Sequence, residues 1–101
     1  MSRTDAVLDE NRDFEWDENK RQANIEKHGI DFLAATEAFN DPKRLVFRSP
    51  IGEPEHRHVL VGSTQGRVIA IVYTLREDII RLISARRARV KEVELWAKNE
   101  S

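Results

Sequence analysis

Asp78–Val90 reads D-I-I-R-L-I-S-A-R-R-A-R-V, and its two halves differ in chemistry. From Ile79 to Ser84 the run is apolar except for Arg81 and the closing serine, and it is rich in isoleucine. A short run that is apolar on both faces predicts a strand inside a sheet rather than at its edge. Beyond it, Arg86, Arg87, Arg89 and Lys91 fall within six positions. A buried strand thus delivers a cluster of cations to its end, where the pattern predicts the start of a helix. Two readings fit those charges. A solvated helix start, partly paired with acids, is one. An anion site, for phosphate above all, is the other, because like charges held together by a rigid strand repel unless an anion sits among them.

Working back from this strand, the two-residue period persists. Arg57–Ser63 and Arg67–Leu75 flank Thr64-Gln65-Gly66, which suits a hairpin turn. Arg76-Glu77-Asp78 makes a second short reversal, and Arg44–Ser49 precedes a turn region at Pro50-Ile51-Gly52-Glu53-Pro54. Three short connections in succession predict an antiparallel four-stranded meander.

Before it, Phe14-Glu15-Trp16 alternates like a short strand, and Asp17 is placed to cap a helix that runs to His28 and stops at Gly29. Ala23 and Ile25 are the main apolar residues of that helix, so it should lie across a surface. Asp31 caps a second helix carrying Phe32, Ala35, Ala38 and Phe39 at helical spacing, ended by Asn40-Asp41-Pro42. After the basic cluster, Ala88 to about Asn99 brings Val90, Val93, Trp96 and Ala97 onto one helical face. The expected fold class is α+β: an N-terminal short strand and two helices, a four-stranded meander and a C-terminal helix, with the helices against one sheet face. Residues 1–12 are polar and aperiodic, which predicts a mobile tail before a single domain over 13–101.

Composition narrows the function classes. The chain has 101 residues, 35% of them charged, and no cysteine, which leaves no disulfide or thiolate metal ligand and fits a reducing, cytoplasmic setting. The N-terminus lacks a signal-peptide core, and no apolar run approaches the length of a membrane span. The net charge of −1 hides an uneven layout. Residues 1–41 carry 5 Lys/Arg against 11 Asp/Glu, residues 42–91 carry 11 against 4, and residues 92–101 carry 1 against 3. An acidic front therefore precedes a basic middle of +7, suited to nucleic acid, to an acidic partner or to the chain's own acidic half.

Among candidate motifs, His56-x-His58 puts two imidazoles on one strand face, with Glu53 or Glu55 as possible added oxygens. That set lacks a recognisable third-ligand spacing, so no metal and no cofactor is expected. Lys27-His28 sits in a last helical turn, where cations complement the dipole, yet a histidine can also move a proton near neutral pH. Asp17 and Glu18 read as helix caps. There is no nucleophile elbow, glycine-rich phosphate loop or dinucleotide fingerprint. Arginine is what remains: Arg57, Arg67, Arg76, Arg81, Arg86 and Arg87 all fall on strands or strand ends. Each alone can bridge acids, but six over one sheet suit a phosphate-facing surface.

Two separated motifs carry a resemblance. F-E-W-D-x-x-K-x-x-x-N-x-x-K-H-G-I-x-F-x-x-A runs from Phe14 to Ala35, and R-L-I-S-A-R-R-A-x-x-x-E-x-x-x-W from Arg81 to Trp96. Together they resemble the BrnT family, the toxin halves of type II toxin–antitoxin pairs. Trp16, Asp17, Lys20, Asn24, Lys27, His28 and Gly29 match the first motif, and Arg81, Ser84, Arg86, Ala88 and Glu92 the second. Trp96 stands where the family pattern usually has tyrosine. The resemblance implies a RelE-like fold, ribosome-independent RNA cleavage, and neutralisation by a BrnA antitoxin with a ribbon-helix-helix domain. It further implies that the complex binds operator DNA.

On that implication, a metal-independent endoribonuclease would use the RNA's own 2′-hydroxyl against the adjacent phosphate. Arg81 and Arg86 are expected to clamp phosphate, His28 and Lys27 to handle the proton, and Arg57, Arg67, Arg76 and Arg87 to guide the RNA. Non-enzymatic alternatives are a gyrase-poison-like binding module and a DNA-regulatory partner.

Overall fold

The structure is a computed structural model that describes residues 2–3, 13–49 and 56–99. Its centre is the quoted stretch, which forms the long strand β6. In chain order the elements are β1 (Ser2–Arg3), β2 (Asp13–Glu15), α1 (Glu18–His28), α2 (Phe32–Ala35) continuing as a 3-10 turn (Thr36–Asn40), β3 (Leu45–Arg48), β4 (Arg57–Thr64), β5 (Arg67–Arg76), β6 (Ile79–Arg87) and α3 (Val90–Lys98). The second predicted helix is thus a single α-turn that tightens into 3-10 geometry. The expected mobile tail lies outside the described residues except for Ser2 and Arg3, and the expected 50–54 turn lies outside them too.

One mixed sheet holds the strands in the order β1-β3-β4-β5-β6-β2, five strands if the two-residue β1 is left aside. Consecutive strands β3 to β6 pair antiparallel. Both edges are then extended: β1 joins β3 antiparallel, and β2 joins β6 in parallel, with Glu15 opposite Arg81. β6 is therefore interior, as its apolar run requires. Opposite Val72 and Tyr73 of β5, β6 carries a bulge: Val72 pairs with Ser84 and Tyr73 with Leu82, so Ile83 is the extra residue and the register shifts by one, which re-aims the side chains on either side of it.

The two sheet faces are separate cores. On one, Val46, Leu60, Ile69, Ile71, Tyr73, Ile80, Leu82 and Ala85 meet Ile30, Phe32, Ala35, Ala38 and Phe39 from the α1–α2 layer. Edge-to-face contacts run from Phe14 to Phe39 at 5.1 Å and from Phe39 to Tyr73 at 5.2 Å. Gly62 permits the close seating of the 3-10 turn, since a Cβ there would lie 2.8 Å from the Ala38 carbonyl oxygen. On the opposite face, Leu45, Phe47, Val59, Val61 and Ala70 form a second cluster with Val68, Val72, Ala88 and Trp96 packed against it.

This second cluster corrects the expectation that all helices share one face: α3 packs on the other side. The predicted apolar stripe of α3 changes accordingly. Val90 is 76% exposed and Ala97 is exposed, while Glu92 is buried and Val93 and Trp96 half-buried. Polar ties hold the helix there. Trp96 Nε1 donates to Asp41 Oδ2 at 2.8 Å, Asp41 also accepts from the Ser63 amide at 2.7 Å, and Lys43 Nζ lies 4.3 Å from the Trp96 ring centroid.

Helix α1 is likewise held by a polar anchor. Ala23 is exposed, whereas Asn24 is buried. The Asn24 amide donates to Ile30 O and Ala85 O, both at 2.9 Å, and accepts from Ala85 N at 3.1 Å. One side chain thus completes the backbone hydrogen bonding of β6 and joins it to α1, the kind of buried polar satisfaction a core requires. Asp17 Oδ1 caps α1 through the Asn19 amide at 2.8 Å, and Gly29 ends it at φ +69°, a left-handed conformation that glycine adopts at low cost.

Candidate active site

The sheet divides the eight predicted site residues into two groups of four. Arg87 lies opposite Ile69, which belongs to the α1–α2 core, and Arg67 lies two residues from Ile69 on the same face. Lys27 and His28 end α1 on that side, exposed and half-buried respectively. Arg57, Arg76, Arg81 and Arg86 have the opposite alternation and belong to the α3 side. His28 and Lys27 are therefore separated by the sheet from Arg81 and Arg86.

Arg81 and Arg86 are also apart from each other. Their partners on β5, Thr74 and Ala70, are four residues apart, so at about 3.3 Å per residue the two arginines stand roughly 13 Å apart along the sheet, in separate rows. Their partners differ as well. Arg86 forms a two-pronged ion pair with Glu92 at the start of α3, Nη1 to Oε1 at 2.8 Å and Nη2 to Oε2 at 3.0 Å. Glu92 Oε1 also accepts the Arg89 amide at 2.7 Å. The side chains are only 22% and 10% exposed. Burial pushes the Glu92 carboxyl up, but the hydrogen bonds from Arg86 and the Arg89 amide outweigh it and hold the group below the usual carboxylate range. The hydrogen bond to Glu92 likewise raises Arg86, against the opposing effect of burial. Here the acid-paired reading of the basic cluster applies, and Arg86 fastens α3 to the sheet.

At the other end of the same face, four residues stand in one cross-strand row. Arg57 on β4 is opposite Thr74 on β5, Thr74 is opposite Arg81 on β6, and Arg81 is opposite Glu15 on β2. With neighbouring strands about 4.8 Å apart, the row spans about 15 Å. Arg76 and Asp13 occupy the adjacent row, each opposite Ile79. Arg81 Nη1 donates to Glu15 Oε2, and the two side chains are 27% and 35% exposed. At the row's β4 and β5 positions, Arg57 Nε and Thr74 Oγ1 are buried without a hydrogen-bond partner among the described residues. An unspent donor and a hydroxyl between two guanidinium groups give this row the means to take up an anionic oxygen.

Thr74 and Glu15 were not singled out by sequence reasoning. Thr74 lies inside an apolar run that reads as core, and the role of Glu15 depends on the parallel register of β2 against β6, which no local pattern displays. The alternation of Phe14-Glu15-Trp16 was the available signal, since it puts Glu15 on the face away from the aromatic core.

Comparison with known proteins bears on this geometry. The family model for the ribonuclease toxin BrnT, of type II toxin–antitoxin systems, matches residues 16–92. The chain belongs to the BrnT family. A crystal structure of the Brucella abortus ribonuclease toxin BrnT at 1.1 Å superimposes with a TM-score of 0.61 at 30% identity, covering 78% of this chain and 99% of that one. No curated protein sequence matches the chain. The BrnT match takes in Arg57, Thr74, Arg81, Arg86 and Glu92, begins one residue after Glu15, and ends before Trp96. BrnT membership makes this chain a ribonuclease toxin of a type II system, with an antitoxin partner and an RNA substrate. Among the described residues no helix is long and apolar enough to cross a membrane.

The remaining candidates fall outside the row. Trp96 uses its indole N–H on Asp41 and so anchors α3. His58 stacks on Tyr73 at 5.3 Å on the α1–α2 side, where burial first, then Arg48 and His56, push its imidazole below the ordinary range. Glu53 and Glu55, the oxygens weighed as partners for His56 and His58, lie outside the described residues.

Proposed function

We propose that this chain cleaves RNA through attack of the substrate's own 2′-hydroxyl on the adjacent phosphate, without a metal ion and without the ribosome. We further propose that a BrnA-type antitoxin with a ribbon-helix-helix domain silences it, and that the complex binds operator DNA. The observation that carries the catalytic part is the row Arg57–Thr74–Arg81, in which Arg57 Nε and the Thr74 hydroxyl have no hydrogen-bond partner among the described residues. Cations and a hydroxyl converge there, the donor set for a phosphate whose charge grows in the transition state. A preorganised donor of this kind contributes about 3 kcal/mol. Arg76, in the next row, extends the cationic track along the backbone of the RNA.

The test is cleavage of a purified, ribosome-free RNA in excess EDTA. Products ending in a 2′,3′-cyclic phosphate and a 5′-hydroxyl are expected, and the same sequence made with 2′-deoxyribose should stay whole. Activity that vanishes on chelation and returns with a divalent ion would overturn the reading, as would cleavage of the deoxy strand.

A further inference from the structure

We propose that Glu15 is the proton acceptor of the cleavage reaction, a catalytic residue supplied by the parallel edge strand β2. This rests on the ribonuclease reading above and adds to it the group that moves the proton. The residue type that chemistry requires is a base beside the phosphate-binding donors, on the same side of the sheet. His28 does not meet that condition, because α1 packs on the opposite face from Arg57, Thr74 and Arg81. Within the row, Glu15 is the carboxylate. Its Cα is paired with that of Arg81, and its Oε2 accepts from Arg81 Nη1. That bond leaves the other carboxylate oxygen for a substrate hydroxyl, and the side chain keeps 35% of its surface open to solvent.

Arg81 serves two ends in this arrangement. Its Nη1 orients the carboxylate, and its place in the row, between Glu15 and Thr74, sets the same cation beside the proposed phosphate position. A base oriented by a cation that also touches the reacting group is held in register with it. In the step itself, the Glu15 carboxylate takes the 2′-hydroxyl proton and the 2′-oxygen forms a bond to phosphorus. The bond from phosphorus to the 5′-oxygen breaks. The departing oxygen takes a proton from water, and Glu15 returns its proton to solvent. No oxidant, metal or second substrate enters the balance.

Among the described residues, the charged groups on this face near Glu15 are Arg81 from β6, Arg76 from β5 in the adjacent row, Arg57 further along the row, and Asp13 two residues back on β2, exposed and opposite Ile79. Asp13 is the rival carboxylate and supplies the control. The experiment uses the full chain with three proteins: unaltered, Glu15→Gln and Asp13→Asn. Each is assayed on ribosome-free RNA from pH 4 to 9, and each is tested for binding to a 2′-O-methyl RNA that cannot be cleaved. Glu15→Gln is expected to lose about 100-fold or more in rate, to bind the uncleavable RNA within about threefold of the unaltered chain, and to lose the acid limb of the pH–rate profile. Asp13→Asn is expected to cleave normally.

Cleavage by Glu15→Gln near the unaltered rate overturns the assignment, and so does loss of activity in Asp13→Asn instead. Equal loss of binding and cleavage in Glu15→Gln would make Glu15 only a positioning residue for Arg81, and overturns it too. If the unaltered chain itself leaves RNA intact, the ribonuclease reading fails and the role of Glu15 falls with it. That outcome is distinct from the others because it shows in the unaltered protein.

Discussion

Replacing Arg86 by alanine should first unfasten the protein and only then affect its chemistry. The pair Arg86–Glu92 joins the end of β6 to the first turn of α3, with side chains 22% and 10% exposed and two hydrogen bonds of 2.8 and 3.0 Å. Removing one partner from a buried pair costs about 3–5 kcal/mol, because the other charge is left without compensation. Arg86 keeps some solvent contact and Glu92 keeps the Arg89 amide, so the expected cost for Arg86→Ala is about 3 kcal/mol. Glu92→Gln should cost less, since its amide oxygen can still accept from Arg86. Replacing both by apolar residues of similar size should cost much less than the two single changes together, as buried pairs generally behave.

Denaturant unfolding at pH 7 measures each of these as a shift in midpoint at constant slope. The pH dependence supplies a second check. Glu92 is held below its ordinary value in the folded state, so its contribution is fully present above the unfolded-state value, near pH 4.3, and is lost as pH falls through the lower folded value. The stability gap between the unaltered chain and Arg86→Ala should therefore close in acid. A cost below about 1 kcal/mol, strict additivity, or a gap that persists at pH 2 would refute the argument.

Two further outcomes follow from the fold. Asn24→Ala should destabilise by about 3 kcal/mol, because it strands the Ala85 amide and two carbonyls inside the protein; denaturant unfolding reads it, and a loss under 1 kcal/mol would mean that those groups find other partners. Gln65 sits at φ +51° before Gly66 at φ +77° in the β4–β5 turn, so Gln65→Asn should raise stability by about 0.5 kcal/mol, seen as a higher melting temperature.

Much of this was legible from local pattern. Asp17 and Gly29 announce the ends of α1, and the isoleucine run of β6 announces an interior strand, since apolar residues on both sides need cover on both sides. The position of α3 was not legible. Its spacing shows that Val93 and Trp96 share a face, but the sheet alternates strictly, so either side offers apolar residues to cover. What decides is Asp41: its carboxylate accepts Trp96 Nε1 and the Ser63 amide together, a contact 55 residues long in sequence. The candidate site was half legible for the same reason. Strand arginines stand out by charge, but which of them share a face with which acid depends on register, and the one-residue bulge at Val72/Tyr73 changes that register within β6's own pairing. Counting back from Arg86 without the bulge would put Arg81 on the wrong side of the sheet.

The strand β6 uses the same residue pair twice on one face, and burial separates the consequences. Arg86–Glu92 is covered by α3, with its acid only 10% exposed. Arg81–Glu15 lies further along β6, in the row of Arg57 and Thr74, with its acid 35% exposed. An ion pair open to water contributes about 0–1 kcal/mol, so the fold has little to lose when Glu15 becomes glutamine. A buried pair has no such freedom. Loss of activity at Arg86 would accordingly arrive with loss of stability, and restoring the fold, by lower temperature or a stabilising change such as Gln65→Asn, should restore cleavage. Loss at Glu15 should arrive in a protein whose unfolding curve is unchanged, and stabilising that protein should restore nothing.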